Sequence, residues 1–419
     1  MRNCNNYQID LKKATKNKAS HGIKEKTILS ELSLYHPILN TNIDYMHSIL
    51  EGVVKRFFRS WFEEKYNNQL PDKSLKESMN AINLRVMNIR PPSFIPNAPR
   101  DIFSWNLWKA NEFLVFLLYY CLPVFNHIMK ANYFAHLTKL VVAMQYLLGE
   151  NINRNDLDDI NDILVDFVKE SSLLYGPSIM LSGMHELVHI VQCTIDSGPL
   201  NTVNVFMYEE NNRGIISFLH GRDLVGDEFL KVFAVAQALH TYVESFVINP
   251  KLKKFLKKYV DIRTSNNKLK TNQFDLKLGK LSEPLDNRFK ELINKNKLNF
   301  KMIKFANTVS IDGISFTDSN NKSRFNDSCV ETPIEDFGFI YKIVVTRENK
   351  VYFILKRIVK LLDCFYYPPH EKYKSNIILC SVTNEFFICK IANVKKIFFI
   401  HINNELNFLS SFNMQHLFH

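Results

Sequence analysis

The stretch NIDYMHSILEG, from Asn42 to Gly52, begins a helical pattern that continues to about Tyr66. Apolar residues recur there at steps of three and four, which is the spacing of one face of a helix. They are Met46, Ile49, Leu50, Val53, Val54, Phe57, Phe58 and Trp61. Asp44 precedes them, and its carboxylate can accept the N–H groups of a first helical turn. The sequence therefore predicts an N-capped amphipathic helix that closes a first domain, residues 1–66.

Helical spacing also dominates the second predicted domain, residues 67–248. Its beginning contains PPSFIPNAPRD, and residues 67–104 predict an extended connection. Helices are then predicted at residues 105–130, 133–148, 156–174, 180–193 and 227–247. The run FLVFLLYYCLPVF, Phe113 to Phe125, is the longest apolar run, but it is shorter than the about 20 residues that cross a bilayer. We predict a buried helix there and no membrane span.

The composition changes twice after residue 248. Residues 249–330 are rich in Lys and Asn and predict a mobile linker. Residues 331–419 contain short β-rich runs that predict a small sheet or barrel, namely FIYKIVV, VYFILKRIVK, NIILCSV, EFFICKI and KIFFIHI. The predicted fold class is α+β, with a helical part followed by a small β-rich C-terminal module.

Composition limits the class of protein. The 419 residues are 46% hydrophobic and include only 12 glycines, which argues against collagen-like and largely disordered chains. The net charge of +11 is compatible with a polyanionic partner and equally with simple solubility. The seven cysteines form no Cys-x-x-Cys pair, and the N-terminus lacks the apolar core of a signal peptide. We therefore expect a reducing compartment, nuclear or cytoplasmic, and no secretion.

The string HELVH, His185 to His189, fits the HExxH pattern of zinc peptidases. In such a helix the two histidines share one face and bind zinc, while the glutamate acts as general base. Glu209 or Glu210 would then be the third ligand. The longer metzincin pattern is absent, because Gln192 stands where its Gly belongs. The alternative interpretation is a chance match on a helix whose histidines pack or form hydrogen bonds.

A second chemical pattern is Asp44-x-x-His47. An Asp at the start of a helix can hold a divalent metal ion, and a His one turn later faces the same side. The alternative is that Asp44 is only an N-cap. The residues around this pattern distinguish the two.

Ile43 to Arg56, IDYMHSILEGVVKR, resembles the DYMHCVLLGVVRRLL and LDVMHIEKN blocks of En/Spm-type (CACTA) DNA transposases. Upstream, His21 to Leu29 resembles the GIKGxSxL lead-in of that family. Further blocks follow in the family's order: PRS (Pro99 to Ile102), WKASE (Trp108 to Glu112), LYG (Leu174 to Gly176), NVHxLxHL (Met184 to His189), GPLW (Gly198 to Leu200), FPFEDLN (Phe206 to Asn212) and HG (His220 and Gly221).

The resemblance implies a ribonuclease H-like core with a large helical insertion, in which acidic residues hold two Mg²⁺ ions for DNA strand cleavage and transfer. Asp44 would be the second acidic metal ligand and His47 its companion. Glu209, in the FPFEDLN-like string, would be the third acid and also a metal ligand, and Glu112, in the WKASE-like block, is the alternative. The family has an apolar residue after the first His of NVHxLxHL, so the resemblance gives Glu186 no catalytic role.

The family's first catalytic Asp lies well upstream of the GIKGxSxL lead-in, whereas Gly22 here is close to Met1. We therefore expect an incomplete ribonuclease H-like core and a Mg²⁺-dependent DDE-type transposase that is inactive as this chain alone. The leading hypothesis is a transposon-derived protein whose ancestor bound DNA, with a second copy of the chain as a further partner. The alternatives are a host-adopted DNA- or protein-binding module and, third, the HExxH zinc peptidase.

Overall fold

The computed structural model describes residues 4–15, 18–38, 40–63, 73–216, 219, 225–246, 249–252, 276–282, 287–311, 313–321, 323–363, 365–367, 370–392, 394–402, 406–410 and 412. The chain divides into two compact units. Unit 1 comprises Met1–Val203 and Phe274–Phe418, and unit 2 comprises Asn204–Gln273 with His419. Every described helix is too short or too polar to span a membrane.

Helices fill unit 1 before residue 204, here called the helical part. The α-helices are α1 (Cys4–Lys13), α2 (Lys55–Phe62), α3 (Met79–Met87), α4 (Ala110–Val115), α5 (Cys121–Phe125), α6 (Ala131–Leu147), α7 (Leu157–Tyr175), α8 (Ser182–Leu187) and α9 (Ile190–Ser197). Short 3₁₀ turns occur at Ile28–Glu31, Lys76–Ser78, Ile102–Leu107, Arg154–Asp156, Pro177–Ile179 and Leu200–Val203. The prediction of a helical region is confirmed.

The helix predicted after Asp44 is present but begins as a π-helix. Met46–Val54 is π-helical and continues directly into α2. A second π segment, Phe116–Tyr120, joins α4 to α5. π-Helices are rare and occur mostly as short segments, often near functional sites. The predicted end at about Tyr66 lies outside the described residues, since the described helix ends before Glu63.

Aromatic rings from α2 occupy the centre of the helical part. Phe58 lies edge-on to Phe113 and Phe116, with 5.2 Å between ring centroids in each pair. Phe57 makes similar contacts with Phe167 and Tyr175 of α7. The apolar face read from the sequence is therefore the one that is buried, and it joins α4 on one side to α7 on the other.

The extended connection predicted for residues 67–104 is wrong in its middle. α3 forms there, and Ile82 and Val86 on its inner face are completely buried. Burial of this short apolar face outweighs the proline signal that follows it. Residues 67–72 lie outside the described part of the chain.

Strands dominate unit 1 after residue 275, here called the β part. They are β1 (Leu276–Leu278), β2 (Leu281–Ser282), β3 (Ile303–Ala306), β4 (Thr308–Ile311), β5 (Ile314–Thr317), β6 (Cys329–Glu331), β7 (Phe337–Thr346), β8 (Val351–Asp363), β9 (Tyr366–Tyr367), β10 (His370–Lys374), β11 (Ile377–Lys390), β12 (Lys395–Lys396), β13 (Phe398–Ile402) and β14 (Leu406–Ser410). The described pairings within the sheets are antiparallel.

The main sheet has nine strands in the order β12-β6-β7-β8-β11-β14-β13, with β3 also paired to β7 and β2 to β3. The five runs predicted from the sequence are confirmed as strands of this sheet. Two of them, NIILCSV and EFFICKI, are halves of the single strand β11, whose register with β8 shifts between Val382 and Phe386.

Alternate residues of the central strands face two separate cores. Phe353 and Leu355 point to one face, which the small sheet β1-β4-β5 covers with Phe316. Ile354 and Val344 point to the other face, where they pack against the short helix α12 (Lys290–Lys295). This alternation is the period of two expected for strands buried on both faces.

The linker predicted for residues 249–330 is corrected over its second half. From Leu276 onward the chain forms β1 to β6 and α12, and β3 pairs with β7 in the main sheet. Lys and Asn dominate the composition, but a few apolar residues such as Phe305 and Phe316 are buried. These sparse apolar positions, rather than average composition, determine the structure. Residues 253–275 lie outside the described part.

The β part packs directly on the helical part within unit 1. Tyr119 stacks on Phe398 at 4.7 Å between ring centroids, and its hydroxyl donates to the Phe412 carbonyl over 2.7 Å. The Gln145 carboxamide oxygen accepts hydrogen bonds from Ser375 Oγ and Asn376 N. The described strands from β6 onward are therefore part of one compact unit with the helices, although the sequence suggested a separate module.

A buried ion pair of the β part also binds Ser93 of the helical part. Lys396 Nζ lies 2.8 Å from Asp327 Oδ1 and 2.9 Å from Ser93 Oγ. The same carboxylate oxygen accepts the backbone N–H of Ser93 at 2.8 Å. Nearby, Arg90 donates to the carbonyls of Ser323 and Asn321. The chain around PPSF is thus fixed to the β part by charged and backbone groups.

Unit 2 contains α10 (Phe206–Ile216) and α11 (Val225–Phe246) among its described residues. The helix predicted at residues 227–247 is confirmed as α11. No residue of α10 is buried. Glu210 forms an ion pair with Arg213 one turn later, at 2.9 Å.

Candidate functional site

Asp44 is separated from the first π segment only by Tyr45, and its carboxylate accepts hydrogen bonds from the start of that helix. Oδ1 accepts the N–H of Met46 at 3.0 Å, and Oδ2 accepts the N–H of His47 at 3.2 Å. Oδ2 also forms a short hydrogen bond with Nδ1 of the His47 ring. The predicted N-cap is confirmed. Asp44 and His47 therefore form a local polar unit, here called the Asp44 corner.

The helix that carries this corner packs against two other family-like blocks. The π segment Met46–Val54 contacts α8, which carries the MHEL string, and α4, which carries the end of the WKANE string. The contact with α8 is unusually close at Gly183, where a Cβ would lie 2.5 Å from the Ser48 carbonyl oxygen. Only glycine fits there. Blocks that lie far apart in the sequence thus meet in one helical core.

Glu112, the alternative third acid, is held by its own neighbours. Its Oε2 accepts the backbone N–H of Lys109 at 2.8 Å, so it caps the start of α4. Its Oε1 lies 3.1 Å from Arg100 Nε. Both carboxylate oxygens are therefore engaged in the described structure.

Glu209, the first choice for the third acid, lies in the first turn of α10 and is exposed. It belongs to unit 2, whereas Asp44, His47 and Glu112 belong to unit 1. Its role as a metal ligand stays a prediction.

The two histidines of HELVH face each other. Their Nε2 atoms are 3.3 Å apart and their ring planes are nearly perpendicular, at 87°. The helix is interrupted between them, since α8 ends at Leu187 and α9 begins at Ile190. Burial lowers the pKa of His189, and the nearby His185 lowers it further. Within the described ranges, no three His, Cys, Asp or Glu side chains come together as a metal-binding group.

No protein-family model, curated protein or solved structure matches this chain. Any family assignment therefore rests on the residues quoted above.

Sequence reasoning missed two polar groups that the structure makes prominent. Arg100 pairs with Glu112. In the sequence it is only a basic residue within the PRD string, and nothing there indicates its partner. His136 is buried in α6, where Nε2 lies 2.9 Å from the Phe167 carbonyl and 3.1 Å from Ser171 Oγ. Burial is the main reason that the pKa of His136 falls to about 4. A lone histidine on a helical face carries no sequence signal for such a role.

Proposed function

We propose that this chain is a transposon-derived protein of the En/Spm transposase type that binds DNA. The observation that supports the proposal most is the meeting of the family-like blocks, because the Asp44 corner, the WKANE helix and the MHEL helix pack together in one core. Chance matches scattered along a sequence have no reason to converge. The net charge of +11 is the sign that a DNA-binding chain needs.

The proposal includes a ribonuclease H-like ancestry for the first domain, with residues 67–248 as its helical insertion and end. The α+β class is compatible with that ancestry. A nuclear location follows from DNA binding and belongs to the proposal as well.

Strand cleavage is not part of the proposed function. A site for two Mg²⁺ ions needs carboxylate oxygens that can coordinate and bridge the metals. Asp44 already accepts two backbone N–H groups and a bond from His47, and Glu112 is held by Lys109 and Arg100. These acids do not fit such a site as they stand, so we assign Asp44 a structural role in this chain. For Glu209 we propose only that it corresponds to the third acid of the ancestral enzyme.

Fluorescence anisotropy with a labelled DNA duplex over a series of salt concentrations tests the proposal. Contacts with phosphates release counterions, so the logarithm of the association constant should fall linearly with the logarithm of the salt concentration. An Asp44→Asn variant is the matched control, and it should bind with the same affinity and slope. Absence of binding at the lowest salt concentration would refute the proposal.

A zinc site at HELVH is the second candidate, and one distance favours it. Two nitrogen ligands of a tetrahedral zinc ion lie roughly 3.4 Å apart, given Zn–N bonds of about 2.0–2.1 Å. The 3.3 Å between the Nε2 atoms of His185 and His189 is close to that value. Metal analysis of purified, extensively dialysed protein tests this candidate, and less than about one-tenth of an equivalent of zinc would end it.

A further inference from the structure

A hollow lies between the chain that follows α3 and the loop that joins β5 to β6, both of which belong to unit 1. Its volume is about 300 Å³. About 10–15 Å³ of such space is enough for one water molecule, so the hollow has room for a larger group. Its apolar walls come from the helical part and are Met87, Ile89, Ala98 and Pro99.

Arg90 and Arg324 also line this hollow, which is here called the arginine hollow. Arg90 stands directly before Pro91, and main-chain carbonyls hold its guanidinium group. Nε donates to the Ser323 carbonyl over 2.9 Å, and Nη2 donates to the Asn321 carbonyl over 2.7 Å. Nη1 forms no hydrogen bond with any described residue, so its two N–H groups are left for another acceptor.

The positive charge of both arginines is uncompensated. Carbonyl oxygens orient the Arg90 guanidinium but do not neutralise it, and Arg324 is exposed. In the described part of the chain, no carboxylate lines the hollow or forms an ion pair with either arginine. Asp327, which lies close to Arg324 in the sequence, is instead paired with Lys396 at 2.8 Å. An anion bound by both arginines would relieve the repulsion between their like charges.

The lining indicates what kind of anion fits. Guanidinium groups donate to pairs of oxygen atoms on phosphates and carboxylates. The arginine hollow also presents apolar atoms of Met87 and Pro99 beside its charges, and Met87 is 51% exposed. Along a DNA strand, phosphates alternate with sugars, and proteins contact both. This match, together with the DNA binding proposed above, favours a phosphodiester over a small carboxylate.

We propose that the arginine hollow binds a phosphate of the DNA backbone, with Arg90 and Arg324 as donors and the adjoining sugar against the apolar wall. Arg90 is already held in place, so it loses little side-chain freedom on binding. The contact carries no sequence preference, because every base pair has the same phosphates. The inference rests on the proposed DNA binding and adds which surface of the chain makes the contact.

Fluorescence anisotropy of the full chain with two labelled duplexes of unrelated sequence, over a series of salt concentrations, tests the proposal. Arg324→Gln should weaken binding to both duplexes roughly fivefold. It should also reduce the magnitude of the slope of the log–log salt plot by about 0.9, the value for one lost phosphate contact. Arg324 is chosen rather than Arg90, because Arg90 also holds the loop.

Arg347→Gln is the matched control. Arg347 is exposed in the turn between β7 and β8 and does not line the hollow, and its loss changes the net charge by the same amount. This variant should keep the wild-type affinity and slope. The melting temperature of Arg324→Gln should equal that of the wild type, because the Arg324 side chain forms no hydrogen bond or ion pair with the described residues.

Wild-type affinity and slope in Arg324→Gln would overturn the inference. Equal weakening by Arg347→Gln, or weakening with only one of the two duplexes, would overturn it as well. In each of these cases the wild type still binds DNA, so the proposed function stands. If the wild type bound neither duplex at the lowest salt concentration, the proposed function and this inference would fail together.

Discussion

The Asp44 corner and the interior of the helical part differ in how their polar groups are satisfied. At the corner, Asp44 and His47 bond to each other and to the start of the helix. In the interior, Tyr119 and His136 have partners, but among the described residues the buried Asn111 Oδ1 and Tyr120 OH have none. Both carboxylate oxygens of Asp44 are thus engaged at the corner. The unpaired Asn111 lies in another family-like block, the WKANE string, so resemblance to the family does not predict how a polar group is satisfied.

The largest effect is expected from His136 as the pH falls. Its pKa is about 4 in the folded protein, below the ordinary 6.5, because burial disfavours the charged ring. As the pH falls, the His136 ring therefore takes up a proton in the unfolded chain before it does so in the folded protein. The stability that the neutral ring contributes above pH 6.5 is lost as the pH falls toward 4. Between pH 7 and pH 5 the free energy of unfolding should fall by about 2 kcal/mol on this account.

Urea unfolding at pH 7 and pH 5 of the wild type and of a His136→Gln variant measures this loss. The variant should be less stable at pH 7 but less sensitive to pH than the wild type. Equal pH sensitivity of the two proteins would show that His136 does not titrate as described.

The adjacent tyrosines should respond in opposite ways to loss of a hydroxyl. Tyr119→Phe leaves the Phe412 carbonyl without its donor and should lower the free energy of unfolding by about 1–2 kcal/mol. Tyr120→Phe removes a buried hydroxyl that has no partner in the described part of the chain and should leave the free energy of unfolding unchanged or slightly higher. Thermal denaturation of both variants decides the point, and a larger loss for Tyr120→Phe would contradict the unpaired state of its hydroxyl.

Asp44→Ala should have a smaller effect, because the side chain of a helix cap contributes about 1 kcal/mol. Asp44→Asn keeps a capping oxygen and should cost less. Chemical denaturation of the two variants checks the order. If Asp44→Ala were as stable as the wild type, the Asp44 carboxylate would not stabilise the start of this helix, which would contradict its role as a cap.

Much of the fold could be predicted from the sequence, because its signals are local. The apolar spacing after Asp44 marked the buried face of α2, and alternating apolar residues marked β7, β8 and β11. The strands between Leu276 and Glu331 were missed, since a few buried residues such as Phe305 decide them against a Lys- and Asn-rich background. Periodicity is weak where strands have only three or four residues.

The site was less predictable than the fold. The Asp44 cap followed from residue type and position, but the partners of Glu112 and His136 come from other elements and leave no local signal. The unpaired Asn111 Oδ1 and Tyr120 OH are harder still to predict. Asn111 and Tyr120 stand in a helical pattern where the sequence predicts packing, and only three-dimensional contacts reveal a missing partner.

Thermal shift with Mg²⁺ tests the structural role assigned to Asp44 most directly. A ligand that binds only the folded state raises the melting temperature. We predict that Mg²⁺ produces no shift that depends on Asp44, so that the wild type and Asp44→Asn respond alike. A Mg²⁺ shift that Asp44→Asn abolishes would contradict this account.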